Sequence, residues 1–279
     1  MWVGQQLADG LDFWGFLGSL ILGGIILGIY TGLLGYVGAK TGLSLDLLSQ
    51  RAFGEKGSYL PSAMTSFTQI GWFGVGSFVS GGTATPNFAR FAKDGKAGAI
   101  TTVVAFFIGN SLMFFFGAVS SIFVGGNDIF EVMVRLNLFY LAVLVLGLNI
   151  WTTNDNALYT AGLGLANIFH QRKKPMVLLS GIIGTVASVW LYYNFCGWLN
   201  ILNCTLPPVG MILVLAYFMN KEDFEADQPK FKTVDWFAVA GVILGAIVAN
   251  LLHWGIASIN GMVVAAVCYC VGQAVNKRK

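Results

Sequence analysis

Long runs of apolar residues, each close to or above the roughly 20 residues that a helix needs to cross a bilayer core, divide this chain. Of its 279 residues, 56% are hydrophobic and only 10% are charged. A soluble domain carries about 25% charged residues. The sequence therefore predicts an all-α polytopic membrane protein that forms a single membrane domain over residues 1–279. The apolar runs cover residues 13–38, 58–84, 97–124, 138–168, 176–194, 197–219, 235–253 and 257–275.

Basic residues lie in the connections between these runs and predict the orientation of the chain, because cytoplasmic loops carry an excess of Lys and Arg. Four connections, near 1–12, 125–131, 194–197 and 254–258, carry no basic residue. From residue 97 onward the two kinds of connection alternate, as expected for successive spans across a membrane. The basic clusters are Lys40/Arg51/Lys56, Arg90/Lys93/Lys96, Arg172/Lys173/Lys174, Lys221/Lys230/Lys232 and Lys277/Arg278/Lys279.

The run 58–84 breaks this alternation, because both of its flanks are basic. Either the charge rule fails at one connection, or the segment enters the membrane and returns on the same side. Its glycines permit a bend, and irregular backbone at membrane depth is tolerated where protein or a cavity covers it. We favour the second interpretation, with the bend between Gly71 and Gly76, and expect about seven spans plus one re-entrant segment.

A polar stripe interrupts the apolar run 138–168. Asn149, Thr152, Thr153 and Asn156 are spaced to lie on one helix face, and hydroxyl and amide oxygens are neutral ligands suited to Na⁺. Asp155 adds an acid well inside the run, and ionisable residues at depth usually mark ion or substrate paths. Such side chains also join neighbouring helices in many membrane proteins. We favour a functional site over that structural interpretation.

A second unusual stretch, TQIGWFGVGSFVSGGT, covers residues 68–83. Gln69 and Trp72 are three residues apart and share a helix face, so an amide and a stacking platform would meet one ligand. Phe78 offers a second aromatic face, with Ser77 and Ser80 within reach of the ligand edge. The alternative is that these aromatic side chains only pack against lipid or other helices.

The sequence gives no indication of an enzyme or of a nucleic-acid-binding protein. It contains none of the HExxH, GxSxG, paired CxxC or P-loop motifs, and its net charge of +3 collects in loops. We therefore expect no cofactor, apart from Na⁺ as a coupling ion, and a monomer in the lipid bilayer. Asn110 and Ser111 are expected to contact neighbouring helices rather than a ligand.

Several long stretches resemble the cytosine-permease branch of the nucleobase–cation–symport-1 family. The resemblance implies a LeuT-like inverted-repeat transporter fold with broken helices. The matching stretches are LGIYTGLLGYVGAKTGL (27–43), FGEKGSYLPS (53–62), TQIGWFGVG (68–76), GSFVSGGT (76–83), AFFIGNSLMFFFGA (105–118), VLGLNIWTTNDNALY (145–159) and GIIGTVASVWLYYNF (181–195).

The resemblance also implies roles for the polar residues. Gln69 and Trp72 match the substrate residues of the third helix of the family, and a base would lie between Trp72 and Phe78. The matches to the unwound sixth helix are Ser77, Phe78 and Ser80. In the eighth-helix pattern, the Asn149 carbonyl and the Thr152 and Thr153 hydroxyls would bind Na⁺. Asn149, Asn154, Asp155 and Asn156 would lie on the substrate side of that site.

The chain departs from the family pattern in one place that bears on every expectation. In the family, the third-helix and sixth-helix motifs are separated by most of a further hundred residues, whereas here they join at Gly74-Val75-Gly76. A family member has twelve helices, and this chain also begins beyond the break of the first. The expected regions are 1–57 around the second helix, 58–88 with the joined half-helices, 97–169 with the seventh and eighth, and 176–275 with the last four.

The resemblance implies Na⁺-coupled uptake of cytosine or a related nucleobase by alternating access. The competing hypothesis is a protein that does not transport: a remnant, an artefact of gene prediction, or a partner that assembles with a full-length copy.

Overall fold

The structure, a computed structural model, describes residues 12–75, 83–125, 129–226, 232–252 and 254–276. Within these ranges the regular structure is helical and contains no strand, which confirms the predicted all-α fold. The first helices are α1 Phe13–Thr41, α2 Leu45–Phe53, α3 Tyr59–Val75, α4 Pro86–Ala89, α5 Gly95–Val104, a π-turn at Ala105–Gly109, α6 Asn110–Val124 and α7 Ile129–Arg135. The remainder are α8 Phe139–Phe169, α9 Lys173–Tyr193, α10 Phe195–Met219, α11 Lys221–Glu225, α12 Trp236–Leu251 and α13 Ala257–Asn276.

Seven of these helical stretches correspond to the predicted spans. Five are long and apolar enough to cross a membrane in the described part of the chain: α1, the continuous stretch Gly95–Val124, α9, α10 and α13. The sixth, α8, has 31 residues and carries the polar stripe, and the seventh, α12, is a shorter apolar helix of 16 residues.

Side-chain caps set where several helices begin. Aspartate carboxylates accept hydrogen bonds from the first-turn backbone amides: Asp12 from Gly15 at the start of α1, and Asp94 from Ala97 at the start of α5. Asp235 does the same for α12. Each cap satisfies amides that have no partner inside the helix. The helix boundaries therefore follow polar residues at the edges of the apolar runs.

The helices pack in three groups. α1 lies along α5, the π-turn and α6, while α3 packs with α8 and α9, and α10 packs with α12 and α13. Close approach depends on small residues, as a Cβ added to Gly98 would lie 2.8 Å from the Gly35 carbonyl oxygen. The largest buried cluster joins α1 and α2 to α10, α12 and α13, and it includes Leu34, Phe53 and Tyr217.

Both flanks of the segment 59–89 lie at the same end of the molecule, hereafter the basic end. At this end the Tyr59 hydroxyl lies 2.7 Å from His170 Nε2, just after α8. The guanidinium of Arg90, just after α4, donates to the Tyr159 hydroxyl in the same half of α8. This arrangement is the one expected of a segment that enters and returns on one side.

The structure excludes most of the interval Gly71–Gly76 that is predicted for the bend, and Gly76 itself lies outside the described residues. The backbone stays helical through Val75, so the chain does not bend at Gly71 or Gly74. Gly71 serves packing instead, because a Cβ there would lie 2.2 Å from the Trp198 ring of α10. Residues 76–82 lie outside the described part of the chain.

Candidate substrate cavity

A cavity of about 1000 Å³ lies between α3, α4, α5–α6 and α8. Such a volume is at the upper end of the range for small-molecule sites. Its lining brings together five of the residues singled out from the sequence, which come from two apolar runs distant in the chain. These are Gln69 of α3 and Asn149, Thr152, Thr153 and Asn156 of α8.

The α8 wall presents oxygen lone pairs. The Thr152 hydroxyl donates to the carbonyl oxygens of Leu148 (3.2 Å) and Asn149 (3.1 Å), and the Thr153 hydroxyl donates to Asn149 Oδ1 at 3.2 Å. Each hydroxyl has one hydrogen, and both are used within the helix. The remaining lone pairs are available as acceptors, which suits a cation or a ligand N–H group.

Two of the predicted residues lie elsewhere. Asn154 and Asp155 are on α8 but do not line the cavity. Asn154 Oδ1 is buried and has no hydrogen-bond partner among the described residues, whereas Asp155 is exposed. Because successive helix residues point about 100° apart, a stripe at 149, 152, 153 and 156 leaves 154 and 155 on other faces.

Gln69 is the polar residue of the α3 wall. It is 7% exposed and lies nearly two turns before the end of the described helix at Val75. A buried amide with donors and an acceptor is a natural partner for the edge of a heterocycle. Of the other residues predicted to hold a base, Ser77, Phe78 and Ser80 lie outside the described residues, as does the Trp72 side chain.

The wall opposite α8 contains polar residues that the sequence did not identify. Thr101, Thr102 and Asn110 line the cavity from α5 and α6. Asn110, for which the sequence predicts helix contacts, lines the cavity, whereas Ser111 Oγ faces α1, where a Cβ on Gly24 would lie 3.3 Å away.

The π-turn at Ala105–Gly109 explains why Asn110 lines the cavity. An i→i+5 turn holds one more residue than an α-helical turn, so it sets every later residue back by about 100°. In an unbroken α-helix, Asn110 would lie at the edge of the face that starts at Gly98 and Thr101. The wider turn returns Asn110 to the middle of that face.

A polar network joins α2, α3 and α8 at the basic end. Asp46 is 5% exposed and accepts a 2.6 Å hydrogen bond from Ser62 Oγ. Asn167 Nδ2 donates to Ser62 Oγ (2.9 Å) and Ser58 Oγ (3.0 Å), and Asn167 Oδ1 accepts from Gln50 at 2.6 Å. The sequence carries no signal for this network, because its members come from three separate elements.

Burial raises the pKa of the Asp46 carboxyl to about 6. Removal of a carboxylate from water disfavours its charged form. The hydrogen bond from Ser62, the backbone amide of Asp46 and the positive charge of Arg90 act in the opposite direction and only partly offset burial. Asp46 lies on α2, outside the spanning helices.

The short helix α4 is held against this network from both of its ends. Asn87 Oδ1 accepts a 2.8 Å hydrogen bond from the backbone amide of Leu45 at the start of α2. Arg90 bonds Tyr159 of α8, and the Lys173 ammonium lies 3.5 Å from the centre of the Tyr159 ring. α4 forms part of the cavity wall, so these contacts fix one side of the cavity.

Comparison with known proteins identifies the family. The profile of the family described as "Permease for cytosine/purines, uracil, thiamine, allantoin" matches residues 1–84 and 74–274. The cytosine permease of Escherichia coli (strain K12) is 36% identical over all of this chain and 88% of its own length. The allantoin permease of Bacillus subtilis (strain 168) is 34% identical over 82 residues, 29% of this chain and 16% of that protein.

The fold agrees with a solved structure of a nucleobase–cation–symport-1 family transporter, in a closed conformation with bromovinylhydantoin bound. The TM-score is 0.76 at 15% identity, over 97% of this chain and 87% of that chain. The expected LeuT-like fold is thereby confirmed. These relatives are permeases and transporters. They agree with the prediction that the chain is not an enzyme.

The comparisons also locate the internal deletion. The alignment with the E. coli permease extends over 372 positions, whereas this chain has 279 residues, so at least 93 residues of that permease have no counterpart here. The two stretches that match the family profile overlap at residues 74–84, where the sequence motifs of two helices are joined. The chain belongs to the family of permeases for cytosine, purines, uracil, thiamine and allantoin, as an internally shortened member.

Proposed function

We propose that this chain derives from, and retains the binding cavity of, a transporter for Na⁺-coupled uptake of cytosine or a related nucleobase across the bacterial cytoplasmic membrane. The observation that carries the proposal is the cavity itself, where Gln69 of α3 and the polar stripe of α8 line one space. Nothing in the spacing of the sequence requires these two elements to meet, so their common cavity supports a shared ligand.

Recognition of the base would combine polar and aromatic contacts. Gln69 offers an amide oxygen and two N–H donors to the ring edge, and Asn149 and Asn156 offer the same groups from α8. Phe88 and Phe106 also line the cavity and supply aromatic surface. By family resemblance, Trp72 and Phe78 would stack on the two faces of the ring.

Cation binding would use the α8 wall. The residues present fit part of a Na⁺ site, because Thr152 keeps acceptor lone pairs beside the Asn149 backbone carbonyl and Thr153 keeps them beside Asn149 Oδ1. Hard cations prefer oxygen ligands, and Ca²⁺, for example, takes six to eight of them. Three oxygens from one helix are fewer than that, so we expect weak Na⁺ binding by this chain. Alternating access would then couple the ion to the base.

The proposal is tested by uptake of radiolabelled cytosine in cells that lack their own permease, with Na⁺ or choline in the medium. We expect cytosine binding by membranes that contain the chain, stronger in Na⁺ than in choline, together with uptake above the vector control. Absence of both binding and uptake, with the chain present in the membrane, would overturn the proposal.

A second candidate function is that of a non-transporting membrane protein. It is favoured by the shortened chain and by the first half of α8, where Leu141, Val143 and Leu144 are all exposed. Binding without uptake in the same assay would support this candidate. Na⁺-dependent uptake by the chain alone would exclude it.

A further inference from the structure

Two helical glycines, Gly109 on the wall of the cavity and Gly147 in the first half of α8, lie in open space. A Cβ added to Gly109, at the end of the π-turn, or to Gly147, on α8, would meet no atom within 4 Å in the described part of the chain. Several other glycines mark tight helix contacts, as at Gly245, where a Cβ would lie 2.6 Å from the Gly261 carbonyl oxygen, whereas Gly18, Gly23 and Gly197 are also open in the described part of the chain. Small residues allow membrane helices to approach closely. Gly109 and Gly147 therefore leave room for a neighbouring helix that the described part of the chain does not supply.

The first half of α8 is open over most of its circumference, although Ala142 is fully buried. Leu141, Val143, Leu144 and Val145 are all exposed, although successive residues point about 100° apart. The exposure continues into the polar part of the helix, where Asp155 is exposed. An acid at the bilayer centre costs about 3 kcal/mol on insertion scales. An apolar helix could face lipid here, but a helix with an open polar stripe requires protein cover.

The position and size of the missing segment match this surface. The E. coli permease has at least 93 residues without a counterpart here, and the two stretches that match the family profile overlap at residues 74–84. Gln69, before this overlap, and Ala84, at its end, both line the cavity. At about 20 residues for each span, 93 residues suffice for three or four apolar helices.

We propose that the surface formed by the first half of α8 and the α5–α6 wall, hereafter the open face, binds apolar membrane-spanning helices supplied by a second polypeptide. The partner has the chemistry of the segment that this chain lacks: several apolar helices whose small residues fit against Gly109 and Gly147. The inference concerns assembly only, so it stands or falls independently of transport.

The test uses the whole chain and a separately encoded probe, the segment of the E. coli cytosine permease that aligns opposite the junction. The two polypeptides carry different affinity tags, are co-expressed, and are extracted in mild detergent. The measured quantity is the fraction of the probe that is retained with this chain. We expect retention by the unmodified chain and at least a tenfold loss in the Gly109→Leu/Gly147→Leu double variant.

The glycine variants keep the outcome interpretable. Both leucines enter open space, so the double variant should fold, and its melting temperature checks this. Gly23→Leu is the matched control, because a Cβ on Gly23 also meets nothing within 4 Å in the described residues, but Gly23 is on α1, outside the open face. This control should retain the probe fully.

Two results would overturn the proposal. One is equal retention of the probe by the double variant and the unmodified chain. The other is no retention by any variant when both polypeptides are present in the membrane. Accumulation of the probe only in cells that also express this chain would support the proposal, because unassembled helical segments are degraded.

Discussion

The buried carboxylate of Asp46 accepts a 2.6 Å hydrogen bond from the Ser62 hydroxyl, which joins α2 to α3 at the basic end. Asn167 of α8 donates to the same Ser62 oxygen at 2.9 Å. The bond therefore links three elements around one ionisable group, and the charge state of Asp46 bears on the stability of the whole basic end.

Asp46 should make the stability of the protein depend on pH. Its pKa in the folded protein is about 6, above the ordinary 3.8, so the folded state holds the proton more tightly than the unfolded state. Stability from this group is greatest below about pH 4 and falls as the pH rises through 6, by about 3 kcal/mol in total. Asp46→Asn keeps an oxygen acceptor for Ser62 and has no charge to bury, so its stability should not show this fall.

Thermal unfolding in detergent, followed between pH 4 and pH 7.5, measures the effect. The difference in melting temperature between Asp46→Asn and the unmodified chain should grow with pH in favour of the variant. Glu222→Gln, which neutralises an exposed acid, is the control and should leave the pH profile unchanged. Parallel profiles for Asp46→Asn and the unmodified chain would contradict the prediction.

Loss of the threonine hydroxyls should remove the response to Na⁺. Thr152→Val/Thr153→Val preserves the side-chain shape but deletes two oxygens, one beside the Asn149 backbone carbonyl and one beside Asn149 Oδ1. With a dissociation constant of about 10 mM, 100 mM Na⁺ would stabilise the unmodified chain by about 1.4 kcal/mol. The double variant should show no difference between NaCl and choline chloride in a melting experiment.

A threonine elsewhere provides the control for that experiment. Thr185 of α9 also donates to its own helix, at 2.8 Å to the Gly181 carbonyl oxygen, but does not line the cavity. Thr185→Val should retain the full Na⁺ response. A micromolar Na⁺ affinity in the unmodified chain would show that three oxygens from α8 are not the whole site.

The fold could be predicted largely from the sequence, because hydrophobic length and loop charge are local properties. The predicted run 97–124 corresponds to the helical stretch Gly95–Val124, and the predicted run 235–253 corresponds to α12, Trp236–Leu251. The α8 wall of the cavity also followed from spacing alone, since helical periodicity determines which residues share a face.

The parts that escaped prediction depend on tertiary contacts or on a change of helical period. Asn110 lines the cavity because one π-turn changes its angular position on the helix. No residue of AFFIG (105–109) predicts such a turn. Gly71 lies in the interval predicted to bend, but it packs against Trp198 of a distant helix. Asp46 lies in a polar connection that gives no sign of burial, because its cover comes from α3.

Gln69 should determine the preference for polar rings. Gln69→Leu keeps the bulk of the side chain in its buried position but deletes its hydrogen-bonding groups. A hydrogen bond contributes about 0.5–1.5 kcal/mol, so cytosine affinity should fall up to about tenfold, while binding of an apolar ring should be unchanged. Equilibrium binding of labelled cytosine, in competition with an apolar ring of the same size, measures both.

The neighbouring residue on α3 serves as the control for Gln69. Thr68 is buried and donates to the Met64 carbonyl oxygen at 2.6 Å, but it does not line the cavity. Thr68→Val should bind cytosine as the unmodified chain does. If Gln69→Leu and Thr68→Val lowered affinity equally, the effect would come from helix packing rather than from contact with the ligand.

The topology of the segment 59–89 should appear in the accessibility of its flanks. Gly57 and Gly95 are unsuitable for labelling, because a Cβ would lie 2.1 Å from the Phe53 carbonyl oxygen and 2.8 Å from the Tyr36 ring, respectively. Lys56 and Lys93 are exposed and flank the segment closely. In a cysteine-free background, Lys56→Cys and Lys93→Cys should both resist a membrane-impermeant thiol reagent in intact cells and react after the cells are permeabilised.

Residues beyond the segment calibrate that labelling experiment. Trp254 is 81% exposed in a connection without basic residues, predicted to lie outside, so Trp254→Cys should react in intact cells. A spanning path for 59–89 would place the flanks on opposite sides and leave one of the two cysteines reactive. Since Tyr59 bonds His170 and Arg90 bonds Tyr159, both flanks adjoin the same half of α8. Labelling of only one flank would require those contacts to be broken in the membrane.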